Sequence, residues 1–326
     1  MEAIEQPQLV TIFGGSGFVG RHVVQALAKR GYRIRVAVRR PHLAFHLQPL
    51  GQVGQIVAVQ ANLRNRTSIE RAVRGADHVV NCVGILFESG QNTFAAIQDQ
   101  GARAVAEAAR DVGATLTHVS AIGADPKSRS AYARTKGRAE QAIMETLPEA
   151  VIVRPSILFG PEDKFYNKFA DMARFSPVIP LIGGGKTRLQ PAYVADVAEV
   201  VARAVDGVVP ASRIYELGGP DVMTFRQSME EMLRVIDRRR FFVSLPFSIA
   251  SFIGSIGSAL PFVDPPLTRD QVTLLKNDNV VSKAAVKEGR TFAGLKIKPA
   301  SPGAVLPSYL VRFRVAGQFT QGSRLT

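Results

Sequence analysis

Leu9-Val-Thr-Ile-Phe13 runs straight into Gly14-Gly-Ser16-Gly17-Phe18-Val19-Gly20, and a helical pattern follows to about Arg30. The order is strand, glycine-rich turn, helix. Glycines at such a turn remove the Cβ atoms that would keep a pyrophosphate from the backbone N–H groups and from the positive end of the helix, and Gly20 lets helix and strand pack closely. Outward from this stretch the alternation continues. Strand-like runs Arg33-Ile-Arg-Val-Ala-Val38, Gln55-Ile-Val-Ala-Val-Gln60, His78-Val-Val-Asn-Cys-Val83, Leu116-Thr-His-Val-Ser120 and Ala150-Val-Ile-Val-Arg-Pro-Ser-Ile-Leu158 are interleaved with helical patterns, among them Phe94 to Asp111 and a helix from Tyr132. Regular alternation means parallel strands joined by crossover helices that cover both faces. The predicted fold class is therefore α/β, a Rossmann-type doubly wound parallel sheet with a smaller carboxyl-terminal lobe.

Sheets of this kind take ligands beyond the carboxyl ends of their strands, so those ends hold the candidate site. The second strand ends in Arg39-Arg40, where a carboxylate would accept bonds from the ribose 2′-hydroxyl of NAD. A guanidinium instead forks onto a 2′-phosphate. NADPH is accordingly expected as cofactor in preference to NADH. Asn62-Leu63 after the third strand, and Asn81, Val83 and Gly84 after the fourth, fall beside adenine and its ribose in this reading, and Gly84 lets the backbone approach. Pro155, without an N–H, frees the strand-end loop so that it and Ile157 can turn backbone groups toward a nicotinamide.

Ser120 ends the fifth strand, and Tyr132-Ala-Arg-Thr-Lys136 heads the next helix. Tyrosine and lysine four apart share a helix face. A phenol with a pKa near 10 exchanges protons near neutrality only beside a cation, so Tyr132 and Lys136, with Ser120 bonding a substrate oxygen, are the candidate catalytic residues. Tyr132 and Lys136 also belong to the cofactor-binding set, since the ammonium can hold the nicotinamide ribose. The only cysteine is Cys82, which excludes internal disulfides and thiolate zinc sites. His42 and His46 stand four apart, a metal-ligand spacing only if that loop is helical. No metal is expected.

Forty-one basic residues against 27 acidic ones leave a net charge of +14, a field that attracts anionic partners of any kind. No nucleic-acid module is recognisable, so nucleic acid is not an expected partner. The amino terminus, Met1-Glu-Ala-Ile-Glu5, fits neither a secretory signal nor a transit peptide. The uncharged run from Phe241 to Val263 reaches the length of a membrane span, but its serines, glycines and prolines make it non-spanning. Within it, Pro246 to Pro261 reads as a short helix carrying a stripe of Ser248, Ser251, Ser255 and Ser258 opposite Ile249, Phe252, Ile253, Ile256 and Leu260. It either caps the small lobe or lies against lipid or a membrane subunit, behind Arg238-Arg239-Arg240 as a headgroup anchor. The linear division is residues 1–160 for the nucleotide domain, 161–288 for the smaller lobe that partly returns to the sheet, and 289–326 for a basic docking tail. That tail has no acidic residue, and its Leu306, Tyr309, Leu310, Val311, Phe313, Val315 and Phe319 are expected to dock onto a partner.

The motifs GGSGFVG, NCVG, YARTK and RPSILFG together resemble the extended or atypical short-chain dehydrogenase/reductase superfamily over about residues 8–240. The runs from Phe159 to Phe169, from Leu189 to Val197 and from Leu267 to Val281 are similar to the nucleotide-binding accessory subunit family of respiratory complex I, the NADH:ubiquinone oxidoreductase. That resemblance implies a tightly held NADPH and a peripheral position near the junction of the peripheral and membrane arms, with other complex I subunits as partners and possible lipid headgroup contact. It implies a role in stability or assembly in place of turnover, here on the cytoplasmic face of a bacterial inner membrane. The intact Ser120, Tyr132 and Lys136 set leaves the alternative open: a free NADP(H)-dependent short-chain reductase or epimerase acting on a carbonyl substrate.

Overall fold

The computed structural model describes residues 7–259, 267–315 and 317, with the side chains of 256–259 left aside. The predicted alternation forms a seven-stranded sheet: β1 (Leu9–Phe13), β2 (Arg33–Val38), β3 (Ile56–Gln60), β4 (His78–Asn81), β5 (Thr115–Val119), β6 (Val151–Pro155) and β7 (Arg213–Leu217). The order is β7-β6-β5-β4-β1-β2-β3, and every neighbouring pair is parallel. All five residues of β1 are buried, as a central strand covered on both faces requires. The strand order reverses between β1 and β4, so the Gly14–Gly20 turn and the Asn81–Gly84 segment leave neighbouring strand ends at that switch point.

Helices α1 (Phe18–Ala28), α2 (Arg66–Val73), α3 (Gly101–Asp111), α4 (Ala131–Thr146) and α5 (Val194–Val205) belong to the same unit as the sheet. Helix α3 is enriched in alanine on its inner face: Ala102, Val105, Ala106 and Ala109 are buried in one cluster with Leu116, Ile143 and Ile152, while Arg103 and Arg110 face outward. Small side chains at these steps let the helix lie close to the strands. Six residues before it, Ala95–Gln100, form a wider π-type turn that continues into α3.

The two compact units interleave along the chain instead of following one another. One takes residues 1–155, 195–217 and 283–296; the other takes 156–194, 218–282 and 297–326. The last strand of the sheet unit is β7, whose outer edge is closed by a still later segment: Glu216 N–H donates to the Arg290 carbonyl at 2.9 Å and Arg290 Nη1 donates to the Ile214 carbonyl.

The second unit has its own core of Phe159, Tyr166, Leu181, Phe225, Met229, Met232, Leu306 and Leu310. Here the docking-tail expectation is corrected. Residues Pro302–Leu310 form a helix capped by Ser301, and Leu306, Tyr309, Leu310 and Phe313 are buried in this chain's own core. The Tyr309 hydroxyl donates to the buried Asp163 carboxylate at 2.6 Å, and that carboxylate also accepts N–H bonds from Gly160, Phe165 and Asn167. Burial pushes Asp163 above the usual carboxylate range. Absence of acidic residues described the tail's charge, and the spacing of its apolar residues decided its place. Val315 is exposed, and Phe319 lies outside the described residues.

The segment Phe241–Leu245 is a strand paired in parallel with Val178–Ile182, followed by a helix over Phe247–Ala259. Ala250 and Gly254 pack inward, while Ile249, Phe252 and Ile253 are exposed together with Phe241 and Val243 of the strand. Among the described residues no helix is long and apolar enough to cross a membrane. Pro41–Leu50, read as a loop, is a run of tight 3₁₀ turns that contains His42 and His46. Among the described residues no group of three or more potential metal ligands gathers there or elsewhere.

Candidate functional site

The glycine turn is built as a cradle. Gly14 adopts φ +75° and its carbonyl accepts the Gly17 N–H at 2.9 Å. A Cβ on Gly20 would lie 2.2 Å from the Gly14 oxygen, and one on Gly15 would lie 2.8 Å from Val36, so both positions exclude any larger residue. Helix α1 begins at Gly17 with no side-chain cap, whereas Asn65 and Ser130 cap α2 and α4. Its first N–H groups are thus left to an external acceptor, the condition that suits a helix end to phosphate oxygens. Ser16, Phe18 and Val19 are half-buried around it.

The loop after β4 abuts this cradle, since a Cβ on Gly14 would touch Val83 at 3.0 Å, and Lys136 Nζ would lie 3.7 Å from a Cβ on Gly84. Gly14, Val83, Gly84 and Lys136 therefore form one continuous surface. Asn81 is buried and its Oδ1 accepts the Val83 N–H at 3.1 Å, which fixes the loop. Arg39 and Arg40 are exposed at the end of β2, and neither guanidinium makes a hydrogen bond among the described residues.

Helix α4 carries Tyr132, Lys136 and Glu140 at steps of four. Tyr132 meets the Phe94 ring edge-on at 5.9 Å between centroids. Lys136 is buried and donates to the Val119 carbonyl at 2.9 Å. Burial brings its pKa down to about 8, opposed by the Glu140 carboxylate and by Cys82, while burial pushes the Cys82 thiol up to about 12. Glu140, buried one turn further on, accepts the Ser120 hydroxyl and a two-pronged bond from Arg154, whose Nε lies 2.9 Å away. Arg154 also reaches Glu216 on β7 at 3.5 Å.

The Ser120 hydroxyl donates to Glu140, which ties the end of β5 to α4. Ile157 belongs to the second unit, and its N–H and carbonyl are taken by Asn279 Oδ1 and the Ala192 N–H, both at 2.9 Å. Its N–H is thereby committed within the second unit, while its carbonyl keeps a second lone pair. The Pro155 carbonyl likewise accepts the Ile122 N–H at 3.0 Å. Leu63 is a core residue packed on Gly101, and the half-buried Asn62 accepts the Arg64 N–H through Oδ1. The sequence reading missed Glu140, although its place four residues beyond Lys136 puts it on the same stripe. It also missed the structural work of Asn279, whose side chain and backbone bond Ser156, Ile157, Gln190 and Arg188 within the second unit.

A three-two-one-four strand order with an uncapped glycine turn at the reversal defines a dinucleotide-binding type of fold, and residues 10–218 match the NAD dependent epimerase/dehydratase family: the chain belongs to that family. More particularly, it is 33% identical over 95% of its length, and 79% of the other chain, to the mitochondrial NADH dehydrogenase [ubiquinone] 1 alpha subcomplex subunit 9 of Arabidopsis thaliana. It is also 35% identical over 190 residues, 58% of each chain, to a ceramide reductase of Caulobacter vibrioides. Among solved structures, the NADPH-dependent quinone oxidoreductase QOR2 of Escherichia coli, complexed with NADPH, superposes with a TM-score of 0.71 at 20% identity, covering 92% of this chain and 98% of that one. That likeness shows the fold.

Proposed function

We propose that the chain is an NADPH-holding accessory subunit of respiratory complex I, peripheral to the cytoplasmic face of a bacterial inner membrane, where it supports assembly or stability near the junction of the two arms. The observation that carries this reading is the extent of the likeness: 95% of the chain, both units included, aligns with a complex I subunit. NADPH is preferred to NADH because Arg39 and Arg40 stand unengaged where a carboxylate would select the 2′-hydroxyl. The cradle of Gly14, Gly15, Gly17 and Gly20, with Val83, Gly84 and Lys136 beside it, would hold the dinucleotide. Attachment runs through the exposed apolar residues of the second unit, Phe241, Val243, Ile249, Phe252 and Ile253, with Arg239 exposed beside the strand as a headgroup contact. Co-purification of the tagged chain with complex I from native membranes tests the reading, and a chain recovered free of every other subunit refutes it.

A second reading is favoured by Tyr132 and Lys136, which stand one turn apart on α4, and by the ceramide reductase likeness. In that case the chain is an NADP(H)-dependent reductase of an apolar carbonyl compound. The bound nucleotide would supply hydride. Tyr132 would supply the proton to the carbonyl oxygen, and the Lys136 ammonium would lower the phenol's pKa. Tyr132→Phe separates the two: complex I assembly and quinone reductase rate stay unchanged if the role is structural, whereas loss of NADPH oxidation with normal nucleotide binding establishes the reductase.

A further inference from the structure

Along the outer edge of β7, separated from β1 and its glycine turn by three intervening strands, the sheet unit opens a cleft of about 610 Å3 lined by Arg154, Ser212, Arg213, Glu216, Glu288 and Arg290. Three guanidinium groups meet two carboxylates there, and each carboxylate is already held. Glu216 faces Arg154 at 3.5 Å, and Glu288 accepts Arg290 Nε at 2.6 Å. Arg290 spends a second N–H on the Ile214 carbonyl, which leaves its Nη2 without a hydrogen bond among the described residues. Arg213 is exposed and its guanidinium makes no hydrogen bond among the described residues. The turn that delivers Arg213 to the cleft passes through Ser212 at φ 60°, a left-handed conformation that a residue other than glycine holds at a cost of about 1 kcal/mol.

We propose that this cleft is a second ligand site, separate from the nucleotide cradle, that takes a small anion with several oxygens, a polycarboxylate or a phosphate ester. The reason is donor surplus. A guanidinium carries five N–H groups in a planar fork suited to carboxylate or phosphate oxygens, and Arg213 brings all five while Arg290 brings its outer pair. The occupant also sits against Arg154, whose other edge holds Glu140 and through it Ser120.

The test is isothermal titration of the full chain, without nucleotide and at low salt, with citrate in one arm and glycerol phosphate in the other. At least one probe is expected to bind saturably with a dissociation constant below about 1 mM. Arg213→Glu should weaken that binding at least about tenfold, while Arg213→Lys, which keeps the charge, should retain most of it. The tighter arm assigns the ligand as carboxylate or phosphate. Because the Arg213 guanidinium is exposed and has no hydrogen bond to lose, Arg213→Lys should keep the wild-type thermal midpoint, and Arg213→Glu, which places a carboxylate near Glu288, should lower it only slightly; a single cooperative transition in each serves as the folding control. Absence of saturable heat for both probes up to about 10 mM overturns the proposal. So does equal affinity in Arg213→Glu, since the anion is then seated elsewhere, for example at the glycine turn. Neither outcome depends on whether NADPH binds.

Discussion

Ending the chain after Ala300 removes the Ser301 cap, the helix Pro302–Leu310 and the turn to Phe313, but no residue of the sheet unit. Among the described residues the cut removes four large buried side chains, Leu306, Tyr309, Leu310 and Phe313, together with the buried ring of Pro302. At about 1.5–3 kcal/mol for each buried side chain of this size, the lost burial is roughly 6–12 kcal/mol, an upper figure because unfolded chains already cover part of their apolar surface. The Tyr309 bond to the buried Asp163 carboxylate contributes about another 1.5–3 kcal/mol. Stability of an entire domain is typically about 5–15 kcal/mol, so the second unit should not survive the cut. The sheet unit should still fold, because the strap through Arg290 remains. Amide hydrogen exchange is the direct assay. Residues 156–194 and 218–282 of the truncated chain should exchange within the dead time, while β1, β4 and β5 stay protected, and NADPH titration should report whether the cradle persists. Wild-type protection in both units would refute the reasoning and restore the tail to a docking role.

For the nucleotide, Arg39→Asp should weaken NADPH at least about tenfold while leaving NADH nearly unchanged; equal wild-type affinities for the two nucleotides, measured by calorimetry, would remove the argument. Lys136 has a folded-state pKa of about 8 against an ordinary 10.5, so the folded chain binds fewer protons than the unfolded one across that interval. Its contribution to stability therefore rises with pH from about 8 to 10.5, by roughly 3 kcal/mol. Urea denaturation of wild type and Lys136→Met at either end of the window should show that difference vanish in the variant; parallel curves would contradict it. Glu140→Gln should cost about 3–5 kcal/mol by leaving the partly buried Arg154 underpaired. Ser120→Ala should cost about 1.5–3 kcal/mol and leave nucleotide affinity intact. A Ser120→Ala chain that folds normally but loses nucleotide or turnover would return the hydroxyl to the reaction site.

The sheet was legible in the sequence because each strand is a buried apolar run between helical patterns, and a parallel sheet covered on both faces leaves few other arrangements for that alternation. The glycine turn and the Tyr132–Lys136 pair were equally legible, since both rest on local spacing. Roles that depend on contacts distant in sequence were not. Ser120 looked like a reaction group because it ends a strand; its assignment to Glu140 is decided by how β5, α4 and β6 pack. Ile157 follows a strand end as a cofactor contact would, but Asn279, 122 positions away, takes its N–H. The basic tail misled in the same way: its charge is local and visible, while Leu306 and Leu310 find their core only after residues from Phe159 to Ile236 have assembled it.

Interleaving of the two units sets an order on the ribosome. The strand that pairs with β6 emerges only after a gap of roughly 60 residues, about 3–12 s at ordinary rates of synthesis, and the Arg290 strap that closes it comes later still. Throughout that interval β6 is a bare strand edge of Val151-Ile-Val-Arg154, the kind of template on which nascent chains pair wrongly with one another. The sheet unit is thus completed late in translation although its first six strands are made early, and a nascent chain stalled anywhere between Pro155 and Arg213 would present that open edge to the cytosol and to any chaperone that guards it.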